Sequence, residues 1–396
     1  MGARAAAWRA ALAFAALAVM WRIVVVNGVL YDVGGRPHLP QPVATPGIEE
    51  PSGQGALTGA IARNPAEVAA LLMWAGETRR NNPAAAERAY RAAVDLAPAD
   101  RDVLNAAAGF MLAQGRVEPA VAMLERLAEL YPDTREQVFP LFAGFFFSGE
   151  GAAAWSAAVA RNPSWMAPFI VASCKSGLDP SVLAALLLKR MVAGLATPPE
   201  QACVIERLRV AGRWTEAYHL WLNSLTRSQL AAVGFVFNGG FESAPTPGGF
   251  DWMLSPRPER ESGHAAEIVR FPGSGTQALR VAYNGKRQNG IPAAQYLAAP
   301  PGSYAFTGMA RIERMTVGRG VQWTIRCVEQ GHNGAMIASS ERFMGSSDWQ
   351  RFAFDVTIPA DCAGQILELE PVGPESSVAF QGGTIWFDEL TLRRVP

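Results

Sequence analysis

The run AERAYRAAVDLAP (86–98) returns in pattern as AVAMLERLAELYP (120–132), a uniform displacement of 34 residues. Ala86, Tyr90, Ala93 and Pro98 stand where Ala120, Leu124, Leu127 and Pro132 stand in the second copy. Steps of three and four place the apolar members on one stripe of a helix, and proline two turns on prevents its continuation. Small residues at 86 and 120 let a neighbouring helix come close, while Tyr90 and Leu124 fill the space beside them. A stripe of this kind cannot be buried by its own helix pair, so stacked pairs are expected, with about three repeats as the minimum for a self-supporting array.

Working outward, a degraded third copy is expected from Val138 to Pro163, keeping Gly151, Trp155, Ala158 and Pro163 after a three-residue contraction. Helix signals continue beyond it. Asp179-Pro180 caps and opens a helix reaching toward Gly194, and Thr197-Pro-Pro-Glu200 has the form of a capping box with proline at the first helical position. The stretch Gly212 to Trp221 reads as another turn and second helix, so the helical region is expected to span 57–232.

The spacing A-x3-[Y/L]-x2-[A/L]-x4-P at a period of 34, with Gly115 in the turn before the second copy, resembles the tetratricopeptide repeat. Leu104 and Ala108 occupy first-helix positions where that family usually has Trp and Gly. The resemblance implies an α-solenoid whose concave face grips a protein partner; a spacer without a ligand would need the same residues.

At Gly234 the period changes to alternation. Strands are expected at 250–254, 265–270, 277–283, 293–297, 303–312, 321–328, 350–358, 365–370 and 383–393, separated by Gly, Pro and Asn-Gly signals. Many short, evenly spaced strands imply a β-sandwich or jelly roll over 233–396. Val321, Trp323, Ile325 and Cys327 share one face, and Gln322, Thr324 and Arg326 the other. Phe352, Phe354 and Val356 alternate likewise, as do Tyr304, Phe306 and Ala310 against Thr307, Met309 and Arg311. One sheet is therefore expected to present Arg311, Gln322 and Arg326 together on its outer face. The loop Tyr283 to Gly290, with two Asn-Gly turns and a basic pair, lines a site or forms a long hairpin tip.

In order along the chain, Asn238-Gly-Gly-Phe-Glu242, Trp252, Gln277-Ala-Leu-Arg-Val281, Pro301-Gly-Ser-Tyr304 and Ile385-Trp-Phe-Asp-Glu-Leu390 resemble the landmarks of the galactose-binding-like jelly roll of carbohydrate-binding module families four and nine. The resemblance implies that the opening and closing segments meet and that Glu242 and Asp388 hold a structural calcium, with carbonyls or water completing a shell of six to eight oxygens; the bland alternative is a turn hydrogen bond and a strand end. It also implies carbohydrate binding. Sugars are recognised by flat aromatic rings and by planar amides and guanidinium forks. The candidates are Trp386, which alternates with Ile385 and Phe387 and should face outward, and the polar strand positions Gln295, Arg311, Gln322 and Arg326; solvated strand faces would show the same residues.

The first residues give an address. Arg4 and Arg9 precede an apolar run from Ala10 to Leu30 broken by Arg22 and Asn27, and ~20 residues suffice to cross the hydrocarbon core. Residues 1–31 are expected to form a single inner-membrane anchor with the body in the bacterial periplasm, a cleaved signal peptide being the rival reading. Residues 32–56, with prolines at 37, 40, 42, 46 and 51, form a linker. The four cysteines suit an oxidising compartment, pairing Cys174 with Cys203 and Cys327 with Cys362, unless they are buried thiols.

Composition closes off other classes. With 35 basic and 35 acidic residues in 396, the chain lacks the field that nucleic-acid binding requires. Four scattered histidines and the absence of C-x-x-C argue against zinc. No nucleophile elbow, phosphate loop, H-E-x-x-H or dinucleotide fingerprint is present, so no enzyme is expected. The sequence as a whole reads as an α-then-β, membrane-anchored periplasmic adaptor: helical repeats dock a protein, and the β-sandwich holds glycan in surface polysaccharide assembly or export. A scaffold with protein contacts alone is the alternative, and a glycan-modifying enzyme is a third and weaker reading.

Overall fold

In the computed structural model the described residues are 54–146, 151–246, 248–255, 263–271, 276–286, 290–329, 332–372 and 381–395. The expected anchor, nearly all of the linker and the tip of the 283–290 hairpin lie outside them. Among the described residues no helix is long and apolar enough to cross a membrane. The chain divides into two compact units between Ser173 and Cys174.

The first unit is helical: α1 (Gln54–Arg63), α2 (Val68–Thr78), α3 (Pro83–Leu96), α4 (Arg101–Ala113), α5 (Val117–Leu130), α6 (Arg135–Phe146), α7 (Ala152–Arg161) and α8 (Met166–Ser173). Helices α3 and α5 are the two copies of the repeat, and each ends two residues before its proline. Every apolar repeat position is buried, with Ala86, Ala93 and Ala120 fully so and Tyr90, Leu124 and Leu127 close to it. Gly115 takes a left-handed φ of 71° in the turn between α4 and α5, which a side chain rarely adopts. Asn82 caps α3 by accepting from Ala85 N, and Asp100 caps α4 by accepting from Asp102 N and Val103 N. Ion pairs that reach past an intervening helix, Arg101 of α4 with Asp133 in the turn after α5 and Arg161 of α7 with Glu125 of α5, lie on the surface and contribute little individually.

The third copy keeps its buried Trp155 and Ala158, but its neighbours are of another kind. Phe142, Phe146, Trp155, Trp165 and Phe169 pack ring against ring, mostly edge to face, with Phe146 and Trp165 stacked and centroids 4.7 to 6.2 Å apart. Large rings replace the small residues that define the repeat, which is why the spacing fades here.

The second unit begins with helices α9 (Pro180–Val192), α10 (Pro198–Val210), α11 (Trp214–Leu222) and α12 (Arg227–Ala231). These were expected to finish the repeat array; they instead share a compact unit with the strands. Asp179 caps α9 and the Thr197/Glu200 capping box opens α10, both as the sequence predicts. Glu200 does more than cap. Fully buried, it accepts from Arg190 Nε at 2.6 Å and Nη2 at 3.2 Å and from Thr197 N at 2.7 Å, while Arg190 Nη2 also donates to Leu195 O.

Among the described residues ten strands follow: β1 (Met253–Leu254), β2 (His264–Arg270), β3 (Gln277–Asn284), β4 (Ala293–Leu297), β5 (Gly302–Val317), β6 (Val321–Glu329), β7 (His332–Ser339), β8 (Gly345–Ile358), β9 (Gln365–Pro371) and β10 (Gly382–Arg394). They form two five-stranded antiparallel sheets, in orders β1-β4-β9-β6-β7 and β2-β3-β10-β5-β8. Strand β7 escaped the sequence reading because HNGAMIAS lacks a clean alternation. Trp252, Trp323, Phe343, Phe352 and Phe387 meet in the core between the sheets. Cys174 is bonded to Cys203, and Cys327 to Cys362.

One expectation is corrected. Gln322 and Arg326 lie on β6, whereas Arg311 lies on β5 in the other sheet. The chain crosses between sheets after Val317. Alternation tells which residues face outward but carries no information on which of two sheets they leave.

Candidate functional site

Trp386 does face outward, between Arg280 on β3 and Arg311 on β5, its register partners. Glu267 on β2 is opposite Arg280 and pairs with it at 2.7 Å, completing a row across four strands. Phe271 stands edge-on over Trp386 with centroids 5.1 Å apart, leaving the indole 7% exposed. Trp386 is therefore no open platform. Arg311 lies 5.4 Å from the Phe271 ring centroid, and Trp349 on β8 meets Phe271 at 5.3 Å.

Trp349 is the partly buried indole of this cluster, and the sequence reading passed over it. The signal was available: Phe352 faces the core, so the opposite parity sends Trp349 outward. Beside it is a groove of about 450 Å³ lined by Arg311, Glu313, Arg314, Ser346, Ser347 and Asp348. Register shifts on β5 between Ala310 and Ile312, and between Ile312 and Met315, interrupt the regular ladder here. Arg311 Nη1 donates to Asp348 Oδ1 at 3.0 Å and Nε to Glu313 Oε1 at 3.3 Å; Arg314 N donates to Ser346 Oγ.

On the other sheet Arg326 Nη2 donates to Glu370 at 2.9 Å and its Nε lies 3.9 Å from Glu368. Gln322, four residues back along β6 on the same face, is partly buried opposite Glu370. Gln295, proposed from sequence as a sugar contact, is fully buried and faces inward with Ala293 and Leu297. Its Oε1 accepts from Phe237 N at 3.1 Å and its Nε2 donates to Phe237 O at 2.8 Å, so it staples the incoming chain to β4 and offers nothing to a ligand. A polar residue at an inward position satisfies buried backbone, which sequence alone does not distinguish from an outward one.

The opening and closing segments meet, with Leu390 N donating to Gly239 O at 2.9 Å. Glu242 and Asp388 flank Gly240: a Cβ there would stand 3.9 Å from Asp388 Oδ1 and 4.0 Å from Glu242 Cγ. Burial pushes the Asp388 carboxyl up to about 6; the charges of Glu389 and Glu242 act in the same direction, against the hydrogen bond from Glu389 N. These oxygens suit calcium in kind but fall short in number. No group of three or more His, Cys, Asp or Glu arranged for a metal occurs among the described residues. An adjoining cavity of about 620 Å³ is lined by Gln229, Asn238, Glu242, Ser243, Glu389 and Arg393.

Residues 78–141 match the tetratricopeptide repeat family, so the array read from the 34-residue spacing carries that repeat. No curated protein matches the chain. Similar solved structures include a family 4 carbohydrate-binding module (15% identity, 40% of this chain and 99% of that one, TM-score 0.29). They also include the CBM22-1 xylan-binding domain of Paenibacillus barcinonensis Xyn10C (14%, 40% and 92%, TM-score 0.27). A third is TmCBM61 in complex with β-1,4-galactotriose (15%, 41% and 99%, TM-score 0.28). The sandwich assignment itself rests on the strand order of the two sheets.

Proposed function

We propose that this chain is a membrane-anchored periplasmic adaptor, whose tetratricopeptide repeats bind a protein partner and whose β-sandwich binds carbohydrate in bacterial surface polysaccharide assembly or export. The observation that carries the carbohydrate half is the outward cluster of Trp349, Phe271 and Arg311 beside a polar groove, an aromatic surface next to a guanidinium fork. Two bonded cysteine pairs support an oxidising compartment, and the apolar run from Ala10 to Leu30 supports the anchor. The reading is binding, not turnover. Glu242 and Asp388, with backbone carbonyls, would hold calcium that ties the first and last segments of the sandwich together.

The alternative, a scaffold with protein contacts only, draws support from two predicted sugar contacts that are covered, Gln295 by the core and the outward Trp386 by Phe271. Calorimetric titration of the full-length chain with the source bacterium's own surface polysaccharide, with and without calcium, separates them. Saturable heat supports the adaptor; no heat from a folded sample in either condition leaves the scaffold. A C-terminal reporter fusion active only in the cytoplasm would overturn the periplasmic placement.

A further inference from the structure

We propose that the turn joining β5 to β6 is a membrane-contact surface, in which Val317 and Met344 enter the interface of an anionic bilayer while Arg314, Arg319 and Arg342 meet its phosphates. Such contact needs no sugar and goes beyond the adaptor reading.

The turn stands at one end of the sandwich, where the chain passes from one sheet to the other. Val317 ends β5 and Val321 begins β6, with Gly318 and Gly320 in left-handed conformations (φ 89° and 84°) on either side of Arg319. The segment entering β8 lies against it: Phe343 exchanges backbone hydrogen bonds with Val321, and Gly345 pairs with Met315. Met344, between them, covers Gly320, where an added Cβ would stand 3.1 Å from Met344 Cβ. Phe343 belongs to the core, so alternation leaves Met344 outside with 42% exposure, and Val317 has 46%.

Single exposed apolar side chains are ordinary on a protein surface. These two differ in their surroundings. Arg314, Arg319 and Arg342 are all exposed, and among the described residues no ion pair engages any of them. Arg311 nearby is taken by Glu313 and Asp348. Gly382, which pairs with Val317, adjoins Gly285 and so brings the exposed Lys286 to the same end. Against these four cations the turn and its neighbouring segment offer Glu341 as an acid outside the Arg311 pairs.

An apolar pair ringed by cations complements an anionic lipid surface. The guanidinium groups are drawn to the leaflet through its surface potential, and their long arms reach headgroups while the apolar tips sink below them. An acidic protein surface would pair the arginines but set Val317 and Met344 against charge. Two side chains bury little area, so contact is expected to require anionic lipid as well. Where the apolar run from Ala10 to Leu30 anchors the chain, such a surface stands within reach of the linker.

The test uses the full chain with a nitroxide on Val317→Cys, the four native cysteines being bonded in pairs. Vesicles are phosphatidylcholine alone or an equimolar mixture with phosphatidylglycerol. Collisions of the label with oxygen, which concentrates in lipid, and with a water-soluble nickel complex report its depth, so insertion of the expected anchor does not by itself register. In mixed vesicles nickel collisions are expected to fall several-fold while oxygen collisions rise, with neither change in phosphatidylcholine. Arg319→Glu/Arg342→Glu and, separately, Met344→Asp should each return the label to water. Both act on exposed side chains, so unfolding midpoints should match the labelled parent; if one variant fails to fold, the other reads the contact. A label that stays in water with both vesicles, that is shielded equally in both, or that stays shielded in a folded variant overturns the proposal.

Discussion

The guanidinium carbon of Arg209 lies 3.5 Å from the centroid of the Tyr296 ring, joining helix α10 to the outer face of strand β4. Trp214 at the start of α11 meets the same tyrosine at 5.8 Å and covers Gly364, where an added Cβ would stand 2.0 Å from the indole. Trp221 packs on Phe237 and Phe250. One end of the β4–β9 sheet face is thus closed by helices of its own unit.

A fragment cut at the change of period, 234–396, is therefore expected to unfold at lower temperature than 174–396. Phe250 and Phe237, 1% and 4% exposed, would lose their cover, at ~1.5–3 kcal/mol for each large apolar side chain. Differential scanning calorimetry of the two fragments checks this, and equal midpoints would mean that the helices add no stability. In the full chain Gly364→Ala is expected to cost about 1–3 kcal/mol by overpacking against Trp214.

Arg190 and Glu200 are a buried pair, 1% and 0% exposed. Removing one partner strands a buried charge, so Arg190→Met is expected to cost roughly 3–5 kcal/mol. The double variant Arg190→Met/Glu200→Gln removes both charges and keeps an N3 side chain competent for the capping box. It should recover most of that loss in urea unfolding; a double variant no better than the single would show that the pair contributes more than mutual neutralisation.

Asp388 gives the sandwich a defined response to pH. Its folded value of about 6 exceeds the ordinary 3.8, so the native state holds the proton more tightly than the unfolded state. This contribution to stability is complete below 3.8 and is lost as pH rises through 6. The parent is expected to show a fall in sandwich stability between pH 4 and pH 7 that Asp388→Asn lacks. Calcium bound by Asp388 and Glu242 would favour the carboxylate and offset that fall, so millimolar calcium at pH 7 should raise the midpoint of the parent and not of the variant. Parallel thermal melts across pH measure both.

Tyr90, 2% exposed, fills the gap between helices of the repeat and lies against Phe110 at 4.9 Å. Tyr90→Ala is expected to destabilise the first unit by about 3–5 kcal/mol. The near-ultraviolet signal of the second unit should stay unchanged in its own transition, since the two compact units divide at Ser173 and Cys174. Loss of both in one transition would show that they unfold together.

Local rules made much of the molecule legible in advance. The repeat positions at 86–98 and 120–132, the caps at Asp179 and Thr197, and the inward run Val321, Trp323, Ile325 and Cys327 all follow from periodicity and end chemistry, which neighbours in sequence determine. The outward direction of Trp386 followed in the same way. Its cover by Phe271, the inward position of Gln295 and the separation of Arg311 from Arg326 did not, because each depends on a strand distant in sequence.

The sequence by itself determined the order of helical repeat and sandwich, the segments that become helices and most of the strands, and which face of many of them is apolar, since side-chain period and capping act within a few residues. Tertiary structure alone decided that helices α9 to α12 join the sandwich, that Asp348 stands beside Arg311, and that Trp349 and Arg311 meet the same Phe271 ring. Those relations are set by sheet order and by packing across gaps of tens to hundreds of residues, where no local pattern records which surfaces will meet.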